Sequence, residues 1–204
     1  MDLSHQLIIK DSQGVCPVKE DTISLAKIAS KLPKGKVLDM GTGTGFIGIY
    51  LNKKGFIIDS VDINRKALDL AKENSKINGT SINIFYSALF SNINSKYDLI
   101  VFNPPINPQE GNLFRFIGRF VRKFNFFEKI ALKVVFSLKG NKRLNLIKDF
   151  LETGKNKLNS KGLFLLNLKN EESDSIQKDD RFKIKKLLQL KSTPDFSIVC
   201  IKIK

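Results

Sequence analysis

The 204-residue chain is 42% hydrophobic, enough for one packed domain, and no apolar run approaches the ~20 residues of a membrane span. Its two distant cysteines (Cys16, Cys200) and single histidine (His5) leave no disulfide framework, zinc knuckle or histidine dyad; without a basic-then-apolar leader, a reducing, cytoplasmic setting is expected. The 35 basic residues against 20 acidic give +15, which points to nucleic acid or a ribonucleoprotein as partner, or else to the lysine-heavy composition of an AT-rich genome.

In chain order, Asp21 or Thr22 is expected to cap a first helix carrying Leu25, Ile28, Ala29 and Leu32, with Pro33 and Gly35 ending it. Val37-Leu38-Asp39-Met40 reads as a strand that runs into Gly41-Thr42-Gly43-Thr44-Gly45, and a helix follows from Phe46. Glycines at such a turn let a ligand approach the backbone, and free N–H groups at the helix start attract a polar or anionic group. A nucleotide-like cofactor is expected here. Residues 56–62 form a second, buried strand, and Asn64 caps a helix with Ala67, Leu68, Ala71 and Ile77 that Asn78-Gly79 ends. Residues 82–86 and 97–102 are the third and fourth strands, the latter leading directly into Asn103-Pro104-Pro105.

Beyond that turn, residues 111–124 place Leu113, Phe116, Ile117, Phe120, Val121 and Phe124 at helical period, with Arg115, Arg119, Arg122 and Lys123 opposite. Either this is an amphipathic helix with its arginines in water, or a substrate-facing lid whose arginines meet phosphates. A second periodic run joins Phe127 to Leu138, and Leu144, Ile147, Phe150, Leu151 and Leu158 suggest another helix. A fifth strand spans 162–168, residues 170–180 read as a polar surface helix or loop, and 182–190 with 196–203 form a closing antiparallel pair. The alternation implies an α/β fold: a Rossmann-like, mostly parallel seven-stranded sheet with helices on both faces and an antiparallel C-terminal strand pair. Ligands bind such sheets at the carboxyl ends of the strands, where the glycine loop, Asp62 with Ile63, Ser87-Ala88 and Asn103 all fall. One domain, 1–204, is expected: a lead-in segment and first helix (1–35), a cofactor-binding half (36–105), and a substrate-side insert with closing strands (106–204).

Two readings compete for the loop. Gly43-Thr44-Gly45-Phe46-Ile47-Gly48 is a literal G-x-G-x-x-G with Asp62 19 residues beyond Gly43, which a dinucleotide-binding domain would also show. The unit Asp39-Met40-Gly41-Thr42-Gly43-Thr44-Gly45 instead resembles motif I of class I S-adenosylmethionine (SAM) methyltransferases. The resemblance implies that the loop passes the amino-acid end of SAM, that Asp39 helps hold its ammonium group, and that Asp62 takes the two ribose hydroxyls. Asn103-Pro104-Pro105 is similar to the Asn-Pro-Pro-aromatic motif of enzymes that methylate a planar amino nitrogen. The Asn103 side-chain oxygen and the Pro104 carbonyl can each accept one N–H of such a group, and the prolines make the turn rigid.

Within this class the chain most resembles the HemK/PrmC family of release-factor glutamine N5-methyltransferases, in a short form. Residues 15–22, containing Pro17-Val18-Lys19-Glu20-Asp21-Thr22, look like that group's Pro-x-x-Glu-Asp-Thr motif, which precedes the first helix and lies against the cofactor; Glu20 and Thr22 join the binding set on that basis. Ala88 stands where the family has an aspartate for the adenine amino group, leaving that role to Ser87 or backbone groups, and Ile106 replaces the aromatic after Asn-Pro-Pro. The family's N-terminal recognition domain is expected to be absent, since about 35 residues precede the first strand. Recognition then falls to residues after Pro105 or to a partner, by analogy a small zinc-containing activator subunit. The expected substrate is a protein glutamine, plausibly in a release factor. The alternatives are an exocyclic amine of RNA (adenine N6 or guanine N2) and a non-catalytic SAM-fold binding module. No metal site and no membrane contact are expected.

Overall fold

The computed structural model describes residues 3–105 and 142–204. The arginine–phenylalanine stretch, the periodic run ending at Leu138, and Ile106 lie outside the described residues.

The described elements are α1 (Glu20–Ala29), β1 (Lys36–Met40), α2 (Phe46–Lys53), β2 (Ile57–Asp62), α3 (Arg65–Ile77), β3 (Asn83–Tyr86), β4 (Tyr97–Phe102), α4 (Lys142–Gly154), β5 (Leu158–Lys169), α5 (Asn170–Gln177), β6 (Phe182–Gln189) and β7 (Phe196–Ile203). The strands form one sheet in the order β3-β2-β1-β4-β5-β7-β6. Pairing is parallel from β3 through β5, and antiparallel between β5 and β7 and between β7 and β6. The expected architecture is therefore observed.

Alternate strand residues serve two cores, as the two-residue period of a strand dictates. Val37, Leu99, Val101, Leu165 and Ile198 pack with Leu25, Ala26 and Ala29 of α1 and Phe46, Tyr50 and Leu51 of α2. Leu38, Met40, Ile100, Phe102, Phe164, Leu166 and Val199 pack with Ile147, Phe150 and Leu151 of α4 and Ile176 of α5. The sheet is thus covered on both faces. Among the described residues no helix is long and apolar enough to cross a membrane.

Three local expectations are corrected. Asp21 and Thr22 do not cap α1: the helix starts at Glu20, with Lys19 at the cap position and no side-chain cap bond. Their side chains are engaged elsewhere, as shown below. Leu158 is not helical but opens β5: α4 ends at Gly154, packed against the Phe90 and Phe164 rings, and one 3-10 turn, Lys155–Lys157, leads into the strand. The polar segment after β5 is not wholly at the surface, since α5 buries Glu172 and Ile176 completely or nearly so.

The lead-in segment is laced to α3 by asparagines one helical turn apart. Asn78 exchanges two hydrogen bonds with the backbone of Ile8, and Asn74 does the same with Lys10 while also donating to the Thr44 carbonyl of the glycine loop (2.9 Å). Asn64 caps α3 through Lys66 N–H (3.1 Å) and donates to the Gly14 carbonyl (3.1 Å). The chain before α1 is thereby brought alongside the loop, where Val15 Cγ1 would lie 3.9 Å from a Cβ on Gly43.

Candidate active site

The loop after β1 turns through three left-handed glycines, Gly41 (φ 68°), Gly43 (φ 55°) and Gly45 (φ 85°), a backbone region that favours glycine. They differ in what surrounds them. A Cβ on Gly45 would stand 3.0 Å from Ala71 Cβ and 3.1 Å from its Cα, so α3 packs directly on the loop there. Gly43 is open among the described residues, with nothing of theirs closer than 3.9 Å to the same notional atom. Gly48 is closed: a Cβ would meet Ser60 Oγ at 2.5 Å and Asp39 Oδ2 at 3.4 Å. Gly48 therefore serves helix-to-sheet packing, and the literal G-x-G-x-x-G is incidental to the loop.

Asp62 ends β2 facing this loop. Its Oδ2 accepts from Gly43 N–H (3.0 Å) and its Oδ1 from Asn64 N–H (2.8 Å). Burial pushes its carboxyl up, against backbone N–H donors at Asn64, Gly43 and Ile63 that favour the charged form. The side chain is half-buried, and with three backbone N–H donors on about four lone-pair sites it keeps room for a further donor such as a hydroxyl.

Asp39 is placed differently from the expectation of an ammonium ligand. It is 1% exposed, its Oδ2 accepts from Thr42 Oγ1 at 2.6 Å, and Ser60 Oγ lies 3.5 Å away. It sits under the loop as a brace, because β1 turns its odd residues toward α2. Burial pushes its carboxyl up to about 6, with Thr42 and the Gly48 backbone pulling the other way. A folded-state value above the unfolded one means that the folded protein binds the extra proton. Stability from this site is therefore lost as pH rises between about 4 and about 6. Asp39→Asn is expected to gain on the wild type by about 2 kcal/mol between pH 4 and pH 8, at ~1.4 kcal/mol per unit with part of the shift already spent at pH 4, in urea unfolding at the two pH values.

Ser87 and Ala88 form a turn satisfied from within. Ser87 is 2% exposed; its hydroxyl donates to the Leu89 carbonyl (2.6 Å) and accepts from Asn92 N–H (3.1 Å), while Ala88 N–H donates to Ser91 Oγ (3.2 Å). The Ser87 hydroxyl is thereby enclosed in the turn, with one acceptor lone pair left beside the Asn92 bond.

The centre of the site is Asn103, at the end of β4. Its Nδ2 donates to Asp21 Oδ2 (3.0 Å) and Thr22 Oγ1 (3.2 Å), and its Oδ1 accepts from Asn167 Nδ2 (3.2 Å). Asn167 Nδ2 also reaches Asp21 Oδ2 (3.3 Å), and the other oxygen of Asp21 accepts from Thr22 N–H (2.8 Å). This network fixes which way the Asn103 amide faces, because reversing it would set an oxygen against a carboxylate. The Glu-Asp-Thr motif thus forms the first turn of α1, rather than preceding it, and docks on the Asn-Pro-Pro turn. Glu20 on that turn is exposed and adds no bond to the network.

Residues that sequence reasoning passes over complete the picture. Asn167 is 2% exposed within the apolar run Leu165-Leu166-Asn167-Leu168, and that interruption is its only signal in the sequence. Arg143, 3% exposed, donates to the carbonyls of Pro105 (3.1 Å) and Asn167 (3.0 Å), lies 3.5 Å from that of Pro104, and pairs with the fully buried Glu172. Asp21 carries the sequence signals of a helix cap and of the Glu-Asp-Thr motif, neither of which points to Asn103.

A parallel sheet with an open glycine turn after β1 and an acid at the end of β2 is the fold of the class I methyltransferases, whose cofactor is SAM. The chain belongs to the family described as Methyltransferase small domain, whose profile matches residues 17–126, more than half of its length. Among curated relatives, a Methanocaldococcus jannaschii protein described as an inferred protein N5-glutamine methyltransferase is 48% identical over 90 residues, 44% of this chain and 46% of that protein. The release factor glutamine methyltransferase of Streptococcus pneumoniae is 38% identical over 96 residues (46% of this chain, 34% of that one). The ribosomal RNA small subunit methyltransferase C of Colwellia psychrerythraea is 36% identical over 107 residues (50% and 30%). The chain spans less than half the length of these relatives. In fold it is similar to the ribosomal protein L11 methylase of Lactobacillus delbrueckii (TM-score 0.65, 20% identity, 98% of this chain and 86% of that one). It is also similar to the Thermus thermophilus 16S rRNA N2 G1207 methyltransferase solved with AdoMet and guanosine (TM-score 0.62, 14% identity, 92% and 44%). The open cradle at Gly43 and the half-buried Asp62 carboxylate fit such a cofactor.

Proposed function

We propose that this protein methylates the side-chain nitrogen of a glutamine in a protein substrate of the release-factor type. The observation that carries the reading is the fixed orientation of Asn103, whose Nδ2 is held by Asp21 and Thr22 so that Oδ1 remains the acceptor. Next to it the Pro104 carbonyl supplies a second acceptor on a backbone that brings no competing N–H. A planar NH2 group can give one hydrogen to each. The glutamine lone pair is delocalised and weakly nucleophilic, so orienting the nitrogen is the chain's main contribution.

SAM, when bound, supplies a methyl group on a sulfonium centre. Gly41, Gly43, Gly45, Asp62, Ile63 and the turn at Ser87 and Ala88 line the side that would hold it, while Asp39 acts through Thr42 and the loop. Asn103 and Pro104 would hold the accepting nitrogen, which on gaining the methyl would give up one of its two protons to solvent. Two of the relatives are named for glutamine methylation, which supports the protein reading. The net charge of +15 and the relative named for ribosomal RNA favour a second reading, methylation of an exocyclic amine in RNA. A planar amino nitrogen is common to both.

The deciding experiment offers labelled SAM with release factor, tRNA or ribosomal particles to the wild type and to Asn103→Ala. Label on release factor that survives nuclease, yields to protease and disappears in the variant is the expected result. Label confined to RNA would overturn the protein reading in favour of the second.

A further inference from the structure

The guanidinium of Arg143, at the start of α4, is buried at the junction of three segments that meet at the strand ends. Its Nε–H donates to the Pro105 carbonyl (3.1 Å), and one Nη donates to the Asn167 carbonyl (3.0 Å) and lies 3.5 Å from the Pro104 carbonyl. Its other Nη pairs with Glu172, which is fully buried and whose same oxygen accepts from Lys169 N–H (2.8 Å). Above the group, the Phe196 ring centre lies 5.2 Å from Cζ. A planar fork is needed to reach carbonyls on two different segments and a carboxylate on a third; a lysine ammonium cannot span them.

Burying this pair is costly in desolvation, and an apolar pair of the same volume would serve stability as well. What an apolar pair cannot do is hold carbonyls. Prolines 104 and 105 have no N–H, so nothing on their own backbone can tie the turn, and only the orientation of their carbonyls remains to be set. The same guanidinium also fixes the Asn167 backbone, while the Asn167 side chain donates to Asn103.

We infer that Arg143, with Glu172 as its counter-ion, is the positioning residue of the Asn-Pro-Pro turn. It sets the Pro104 and Pro105 carbonyls and, through Asn167, the Asn103 oxygen. This rests on the proposed function, in which that turn grips the accepting nitrogen. The 3.5 Å separation from the Pro104 oxygen aligns that carbonyl while leaving it a lone pair for the substrate.

The test uses the full chain with carbonyl-13C proline, whose six prolines give a countable spectrum, in the wild type, Arg143→Lys and the double variant Arg143→Met/Glu172→Met. In the wild type the Arg143 Nε–H is expected to exchange slowly and to show coupling across the hydrogen bond to the Pro105 carbonyl. Arg143→Lys keeps the charge and loses the fork; the double variant removes both charges and fills the space with apolar atoms. In each, the Pro104 and Pro105 signals are expected to shift or broaden while those of Pro17, Pro33 and Pro194 stay. SAM affinity by calorimetry stays within about threefold of wild type, and kcat toward release factor falls about 10–100-fold with KM for SAM unchanged. A double variant with wild-type melting temperature, carbonyl signals and kcat would show the pair to be packing alone and overturn the inference. So would the absence of the coupling in the wild type. If the wild type methylates no release factor, the functional reading fails, and the carbonyl signals by themselves decide the role of Arg143.

Discussion

Asn103→Ala is expected to lower kcat for methyl transfer by about 10²–10³-fold, the loss typical of removing one preorganised hydrogen-bonding partner from a reacting group. Binding of SAM should fall far less, because the glycine loop and Asp62 belong to β1 and β2, and Asn103 to β4. Stability should drop by about 1–3 kcal/mol, since Asp21 and Asn167 lose a half-buried partner. Asn103→Asp separates the two ends of the side chain. It keeps an oxygen on the substrate side but sets a second carboxylate against Asp21, at the present 3.0 Å contact. It should therefore be inactive and less stable than Asn103→Ala. Asp21→Asn acts on the same network from outside the site. Asp21 accepts on both oxygens, from Thr22 N–H on one and from Asn103 and Asn167 on the other, and an amide can serve only one side. A kcat reduced about tenfold, with a stability loss no larger than that of Asn103→Ala, is expected, measured alongside the Asn103 variants. If Asp21→Asn were indistinguishable from wild type in kcat, the orienting role assigned to α1 would be wrong.

The parts of the site carried by local pattern are legible in the sequence alone. Glycine at alternate positions after an apolar strand has few other uses, and two prolines directly after residues 97–102 force the chain out of the sheet. The parallel sheet follows from helix–strand alternation, and the closing pair is marked by its turn. The parts that stay hidden share one physical cause: their partners are distant along the chain. Asp21 satisfies the local grammar of a helix cap, yet its side chain is taken by Asn103 and Asn167 across the sheet. Arg143 and Glu172 look like solvent-facing charges in polar helices, and become buried only because each neutralises the other. Asp39 misleads in the opposite direction. Its position before the glycines marks it as a ligand, but the pleat turns it beneath the loop, where Gly48 and Ser60 leave it just enough room. The charge excess is a global quantity, and nothing local in the chain says which lysines act together.

The glycine loop offers a way to separate fold from cofactor within three residues. Gly45→Ala should destabilise the protein by about 2–5 kcal/mol: a left-handed φ of 85° costs an alanine ~1–2 kcal/mol, and a Cβ 3.0–3.1 Å from Ala71 adds the cost of overpacking a tight contact. Coupling to Ala71 makes this checkable. Ala71→Gly removes the Cβ contact but leaves the φ penalty and the 3.1 Å approach of Cα, so Gly45→Ala/Ala71→Gly should recover only part of the loss. Gly43→Ala should do the reverse. Its φ of 55° carries the left-handed cost of ~1–2 kcal/mol but no overpacking, since among the described residues the new methyl meets nothing closer than 3.9 Å, so the loss of stability should be smaller than in Gly45→Ala. That methyl would instead stand on the open face of the loop beside the N–H that Asp62 accepts, which is where the cofactor is proposed to pass. SAM affinity should fall at least about tenfold, equivalent to ~1.4 kcal/mol, with the smaller unfolding effect of the two variants. Calorimetric titration and thermal unfolding of the two single variants, side by side, read both effects. Equal SAM affinity in Gly43→Ala and wild type would mean that the cofactor lies elsewhere than over this loop.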